Sequence, residues 1–179
     1  VGVDPKTIKN YVKLLEDLLI AEVIPVFSKR SKRQLSAHSK FFFFDCGVFR
    51  ALRPRGPLDS ESEMNGPALE TLFLQHYRVR TEADQLDQNL YFWRSKKKHE
   101  VDFVSYGSTG LFVFEIKNSF RLDKKELAGL ELFQQDYPEA KCFCFYGGLQ
   151  RYKQNSIEVI PFTEGLIEMK NIFLSQSPR

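Results

Sequence analysis

The chain has 179 residues, 42% hydrophobic and 27% charged, with a formal net charge of +3. That length buries one sizeable core or two small ones, and the composition is neither that of a disordered chain nor that of a membrane protein. No apolar run approaches the roughly 20 residues a membrane-spanning helix needs, no signal peptide opens the chain, and the mild positive charge permits nucleic-acid contact without requiring it.

With Val1 in place of methionine, the sequence is expected to be a piece of a longer protein. Three cysteines, an odd number, argue against a disulfide framework and fit a reducing cytoplasm. Cys142 and Cys144 alternate along an apolar stretch with no further ligands in view, so they and Cys46 read as core residues.

In chain order, DPKTIKNYVKLLEDLLI predicts a helix entered at Asp4 and Pro5. Its apolar face is Ile8, Tyr11, Val12, Leu15, Leu18 and Leu19. EVIPVFS and KFFFFDCG read as two strands around the basic loop SKRSKRQLSAHSK. A helix followed by a ribbon with a cationic tip resembles the latter part of a winged helix. On one reading it meets DNA, with Lys29, Arg30, Lys32, Arg33 and Lys40 on phosphates. On the other it only couples neighbouring modules, and Phe41 to Phe44 are packed strand residues.

RPRGPLDSESEMNG reads as a linker, which sets domains at 1–53 and 54–179. A helix follows from about Asn65, with Pro67 in its first turn and Leu69, Leu72, Phe73 and His76 on a broad face. Leu90 to Arg94 is a strand, and SKKKHE turns the chain back. Lys96, Lys97 and Lys98 are a solvated turn by default, yet they lie close enough to Asp102 to hold a phosphate backbone. His99 reads as a surface residue of that turn, with proton transfer as the alternative.

The stretch EVDFVSYGSTGLFVFEIKN is a hairpin, Val101 to Tyr106 going in and Leu111 to Lys117 returning. Alternation puts Asp102 with Val104 and Tyr106, and Glu115 with Lys117, while Phe112, Phe114 and Ile116 face the other way. Two carboxylates and an ammonium then meet at the end of an apolar hairpin, which is costly unless they neutralise one another or hold a cation. A cross-strand ion pair is one outcome. A hard divalent ion, Mg²⁺ or Mn²⁺, is the other. Beyond the hairpin come a helix in RLDKKELAGLELFQQDYPEA, a buried parallel strand in KCFCFYGG, a closing strand in IEVIPFTEG and a last helix in LIEMKNIF.

Asp102 followed by Glu115-Ile116-Lys117 resembles the D…(D/E)xK signature of the PD-(D/E)xK nuclease superfamily. The flanks YFWRSKKKHEVDFV and FVFEIKNS, with LLEDLLIAEVIPVFSKR, KFFFFDCGVFRALR and NGPALETLFLQHY, resemble the C-terminal DUF4143 region of predicted AAA+ ATPases. The resemblance implies an α/β protein: a truncated winged helix, then a restriction-endonuclease-like αβββαβ domain with a mixed sheet. It implies catalysis by Asp102, Glu115 and Lys117, with a metal held by Glu70, Asp102, Glu115 and the carbonyl of Ile116. Glu70 matches the glutamate of a GxxxEN-like segment, with Thr71 where Asn is usual, and Gln134 matches a helical glutamine of some relatives. The expected activity is metal-dependent hydrolysis of DNA beside an ATPase module in the same full-length chain. The alternative is a catalytically inactive module that binds nucleic acid or protein. No GxxxxGK[ST] occurs, so no phosphate-loop ATP site is expected in this fragment.

Overall fold

The computed structural model describes residues 2–31, 35, 38–53, 56, 61–97 and 99–174. Helix α1 (Pro5–Asp17) leads into a two-stranded antiparallel ribbon, β1 (Ala21–Ile24) with β2 (Lys40–Phe43), and a short helix α2 (Cys46–Leu52). Helix α3 (Glu61–Ala83) precedes the meander β3 (Gln88–Arg94), β4 (Glu100–Gly107) and β5 (Gly110–Lys117). A single 3₁₀ turn (Lys124–Leu127) opens α4 (Ala128–Asp136), followed by β6 (Lys141–Tyr146), β7 (Tyr152–Gln154), β8 (Ile157–Pro161) and α5 (Phe162–Leu174). The sheet order is β3-β4-β5-β6-β8-β7: an antiparallel meander, two parallel pairings β5–β6 and β6–β8, and an antiparallel edge strand β7. The protein is thus mixed α/β with a six-stranded mixed sheet. No helix among the described residues is long and apolar enough to cross a membrane.

Both faces of the sheet are covered, which explains strands that read as nearly continuous apolar runs. On one face, Phe73 and Tyr77 of α3 and Phe173 of α5 pack on Phe103, Phe112, Phe114 and Phe145. On the other, Leu130 and Phe133 of α4 pack with Trp93, Val101, Val113 and Cys144. Each fully buried aromatic contributes about 1.5–3 kcal/mol by transfer alone, so this stack fixes where the strand ends lie. Gly129 belongs to the same logic: a Cβ there would strike the backbone carbonyl of Glu100, so glycine lets α4 approach the start of β4.

The first fifty residues share these cores. Ile24 and Phe42 join the α3 side, while Phe27 joins the α4 side and touches Tyr91, Tyr106, Phe133 and Tyr137. Phe27 N–H donates to Phe92 O and Phe92 N–H to Pro25 O, so the chain after β1 extends the β3 edge in parallel.

Several expected boundaries move. KFFFFDCG is not one strand: the Asp45 carboxylate accepts Val48 N–H at 2.9 Å and Gln75 Nε2 at 3.0 Å, capping α2 and tying it to α3. Phe41 and Phe44 are exposed, so the aromatic run is packed mainly through Phe42. The linker is shorter than expected, because α3 starts at Glu61 and runs through Pro67. Helix α5 begins at Phe162, four residues before the expected start, and β7 forms the edge expected of β8. Helix α1 ends at Asp17, so Leu18 and Leu19 fall outside the helix whose apolar face they were expected to continue; of that face, Ile8 and Tyr11 are exposed and Val12 and Leu15 half-buried.

Candidate active site

Strands β4 and β5 pair in register from Gly107 with Gly110 back to Phe103 with Phe114, and the ladder stops there. On the other side of β4 the register slips: Tyr91 faces Val104, but Trp93 faces Val101. One extra residue on β4 at this point is a bulge, which turns local side chains over. Val101 and Val104 consequently enter the same cluster, although they are three apart. Asp102 therefore does not project with Val104 and Tyr106 as simple alternation requires. It turns toward α3 and the ribbon together with Glu100.

There the two acids meet an unforeseen partner. Lys40 Nζ, the first residue of β2, lies 2.7 Å from Glu100, 3.1 Å from Asp102 Oδ1 and 3.2 Å from Glu70 Oε2. Lys40 is accordingly not free to neutralise DNA phosphates, which corrects that expectation. Burial pulls its pKa down, but Asp102, Glu70 and Glu100 together outweigh burial and leave it raised. Glu70 is pushed up to about 7, by burial first and then by Asp102, with Lys40 offsetting only part. The three acids, Lys40, Phe42 and the buried Thr71 line a cleft of about 380 Å³.

The second oxygen of Asp102 reaches the other strand. Oδ2 accepts Ile116 N–H at 2.9 Å, at the peptide between Glu115 and Lys117. This contact ties Asp102 to the strand backbone between the other two expected residues, Glu115 and Lys117. Ile116 takes part through its N–H. Lys117 Nζ sits 2.6 Å from Glu115 Oε1, and its pKa is raised, because Glu115 and Asp102 outweigh burial. Glu115 is 6% exposed and pushed up to about 8, by burial first and then by Asp102, with Lys117 a partial counterweight. Its Oε2 is buried with no hydrogen-bond partner. An orphaned carboxylate oxygen in such a place costs free energy unless a proton or a cation reaches it.

Lys96 and Lys97 are exposed in the β3–β4 turn, and Lys98 lies outside the described residues, as do Lys32 and Arg33. Lys29 Nζ stands 4.1 Å over the ring of Tyr106, and Arg30 is exposed with φ 50°. The β3–β4 turn and the basic loop are neighbours, since Leu35 bridges to Ser95. His99 is exposed, its backbone paired with Ser95. Gln134 bonds Ala140 O and the Ser156 hydroxyl, away from the acids.

Sequence reasoning missed Lys40 as a site residue and Glu100 altogether. Glu100 had a signal, since it lies two residues before Asp102 on one strand. Lys40 had none, as no local pattern relates it to residues sixty positions later.

Fold and site together define a mixed α/β protein with a buried acid–lysine cluster at the mouth of a β-hairpin. A family profile described as a domain of unknown function, DUF4143, matches residues 65–165, more than half of the chain, so the chain belongs to that family. A second profile, the domain of unknown function DUF8612, matches residues 1–59. No curated protein and no solved structure matches the chain.

Proposed function

We propose that residues 54–179 are a PD-(D/E)xK-type nuclease module acting on DNA, preceded by the remaining part of a winged helix and belonging to a larger AAA+ ATPase. The element order α3-β3-β4-β5-α4-β6 supports the αβββαβ reading. The observation that carries it is the meeting of Asp102 with the Ile116 peptide, beside a Glu115 oxygen that has no partner. Three free cysteines and the lack of a spanning helix among the described residues support a cytoplasmic setting.

The donor chemistry of Asp102, Glu115 and Glu70 suits Mg²⁺ or Mn²⁺. As the side chains stand, however, no three His, Cys, Asp or Glu among the described residues are grouped to hold a metal, since Lys40 occupies the centre of the acids. When bound, such an ion supplies Lewis-acid polarisation of the phosphodiester and acidifies a water. The chain's own residues do the rest. Lys117, kept charged by Glu115, steadies negative charge developing on phosphate and does not serve as the base. Lys96, Lys97 and Lys98, with Lys29, Arg30, Lys32 and Arg33, grip the backbone of the nucleic acid as point charges or forks.

The second reading is an inactive module that binds nucleic acid or a protein. It is favoured by one observation, the Lys40 ammonium that neutralises the acids without any metal. Supercoiled plasmid incubated with the protein and Mn²⁺ separates the two. Nicking that vanishes in Lys117→Ala supports the nuclease. Unchanged plasmid in both proteins, with equal DNA binding, supports the inactive module.

A further inference from the structure

Strands β5, β6 and β8 run parallel and end side by side, and open α/β sheets take their ligands in the loops beyond such carboxyl ends. Lys117, the last residue of β5, pairs in register with Tyr146, the last residue of β6. Neighbouring strands lie about 4.8 Å apart, so Tyr146 stands beside the ammonium already assigned to phosphate. Its ring meets Tyr152 edge to face at 5.9 Å. Its hydroxyl is fixed by Gln150, donating to the backbone carbonyl at 2.6 Å and accepting the backbone N–H at 3.2 Å. The loops after β5 and β6 are tied together by Gly147 N–H on Ser119 O at 3.2 Å. Between them opens a cleft of about 560 Å³, lined by the two tyrosines, Phe120, Arg121 and Leu149 among others. That size holds a small ligand or one unit of a larger one.

Two features of the cleft select its occupant. Its rim is bare and apolar: Phe120 is 76% exposed and Leu149 90%, although the rest of the sheet end is closed. Its charge is positive and unspent: Arg121, Lys124 and Lys125 are exposed and make no ion pair among the described residues. The two acids of the same loop are already engaged, since Asp123 and Glu126 form a capping box and Glu126 also accepts the Ser119 hydroxyl. An open aromatic ring among unpaired cations suits a nucleotide standing outside a duplex, the ring taking the face of the base and the cations the flanking phosphates. A paired base keeps its faces inside the stack and offers the ring nothing.

We propose that this cleft binds an unpaired nucleotide next to the phosphate at Lys117, which makes DNA that is single-stranded, or that carries unpaired bases at an end or junction, the substrate class. The proposal rests on the nuclease reading above and names its substrate. Phe120 is the stacking surface, Arg121 the contact to the adjoining phosphate, and Tyr146 the fixed wall that sets the cleft against Lys117.

Fluorescence anisotropy with a labelled oligothymidylate, single or annealed to its complement, tests this in EDTA, where no metal-dependent cleavage interferes. The single strand should bind more tightly than the duplex. Phe120→Ala should weaken single-strand binding about tenfold, the loss of one base–aromatic stack, and leave duplex binding unchanged. Phe120→Trp should keep the tight binding, because it keeps a ring. Arg121→Gln should lower the salt slope of single-strand binding by about one. Phe120 lies mostly in solvent, so its replacement leaves the core intact. A single strand held no more tightly than the duplex, or held equally well by Phe120→Ala, overturns the proposal, as does a Phe120→Trp protein that binds as weakly as Phe120→Ala. Binding that depends on Phe120 while plasmid stays whole with Mn²⁺ would uphold the cleft and sink the nuclease. Plasmid nicking with binding indifferent to Phe120 would do the reverse.

Discussion

Asp102 and Glu115 sit on neighbouring strands and meet at one peptide, yet they are treated in opposite ways. Both oxygens of Asp102 are engaged, one with Lys40 and one with Ile116 N–H. Glu115 gives one oxygen to Lys117 and keeps the other bare in the interior. The two carboxylates are buried to nearly the same degree, 7% and 6% exposed. Burial therefore does not distinguish them; satisfaction of their lone pairs does. A fully bonded carboxylate acts as a brace between strands, and a half-bonded one keeps an oxygen available for a ligand. By that argument Asp102 locks the hairpin end to the ribbon, and Glu115 keeps one oxygen for which the described residues supply no hydrogen bond.

The bluntest way to break this contrast is Asp102→Ala. It strands the Ile116 N–H and leaves Lys40 with two acids instead of three, so it should cost about 3 kcal/mol of folding stability, the range for removing one partner of a buried pair. Urea unfolding monitored at Trp93 measures it. A midpoint equal to that of the unaltered protein would show that Asp102 braces nothing.

Glu115→Gln sharpens the contrast with a smaller effect, because it removes charge while keeping shape. The folded protein holds the Glu115 proton up to about pH 8, above the ordinary value of 4.5, chiefly because the side chain is buried. The unfolded chain gives that proton up first, so this group's contribution to stability is greatest below pH 4.5, declines as pH rises toward 8 and is flat beyond. Glu70, raised to about 7 by burial, declines in the same direction in both proteins and cancels in the difference. The variant should thus gain on the unaltered protein between pH 5 and 8, where the drift belongs to Glu115. A stability difference constant across that range would mean Glu115 is ionised throughout. In the same variant, Mn²⁺-dependent cleavage should be lost, since an amide, unlike a carboxyl, has no proton to give up in exchange for a metal ion.

How far the sequence reveals this site depends on which residues are local to one another. The hairpin was legible because apolar alternation and flanking glycines are short-range signals, and they put Glu115 and Lys117 together correctly. The bulge was not, since one inserted residue flips every later side chain and leaves no mark in composition. That is why Asp102 was assigned to the wrong face although its strand was right. Helix α2 carried a readable cap in Asp45, but four consecutive phenylalanines outweighed it as a strand signal. Helix α3 was hidden at its start by small polar residues before Pro67, a composition that reads as linker although the helix runs through it. Lys40 is the deepest omission: its role exists only because the ribbon folds back on the β3 edge, and a basic residue beside a basic loop reads as a phosphate contact until the fold is known.

The gentlest probe of the contrast is the thiol facing it. Cys144 stands opposite Glu115 in the β5–β6 register, and burial, followed by Glu115, pushes its pKa up. Burial alone pushes Cys142 up to about 12, whereas Cys46 is only half-buried at the start of α2. Thiolate is the reactive form, so a raised pKa and a closed surround both slow modification. With an aromatic disulfide reagent at pH 8, native protein should lose Cys46 promptly and keep Cys142 and Cys144 until it unfolds. Glu115→Gln should leave Cys144 protected, because the packing around it is unchanged. Asp102→Ala should expose it, because the brace between β4 and β5 is gone and the strand ends separate. Fast labelling of Cys144 in the unaltered protein would show that solvent already reaches Glu115, and the bare oxygen would then be a hydrated one with no claim on a cation.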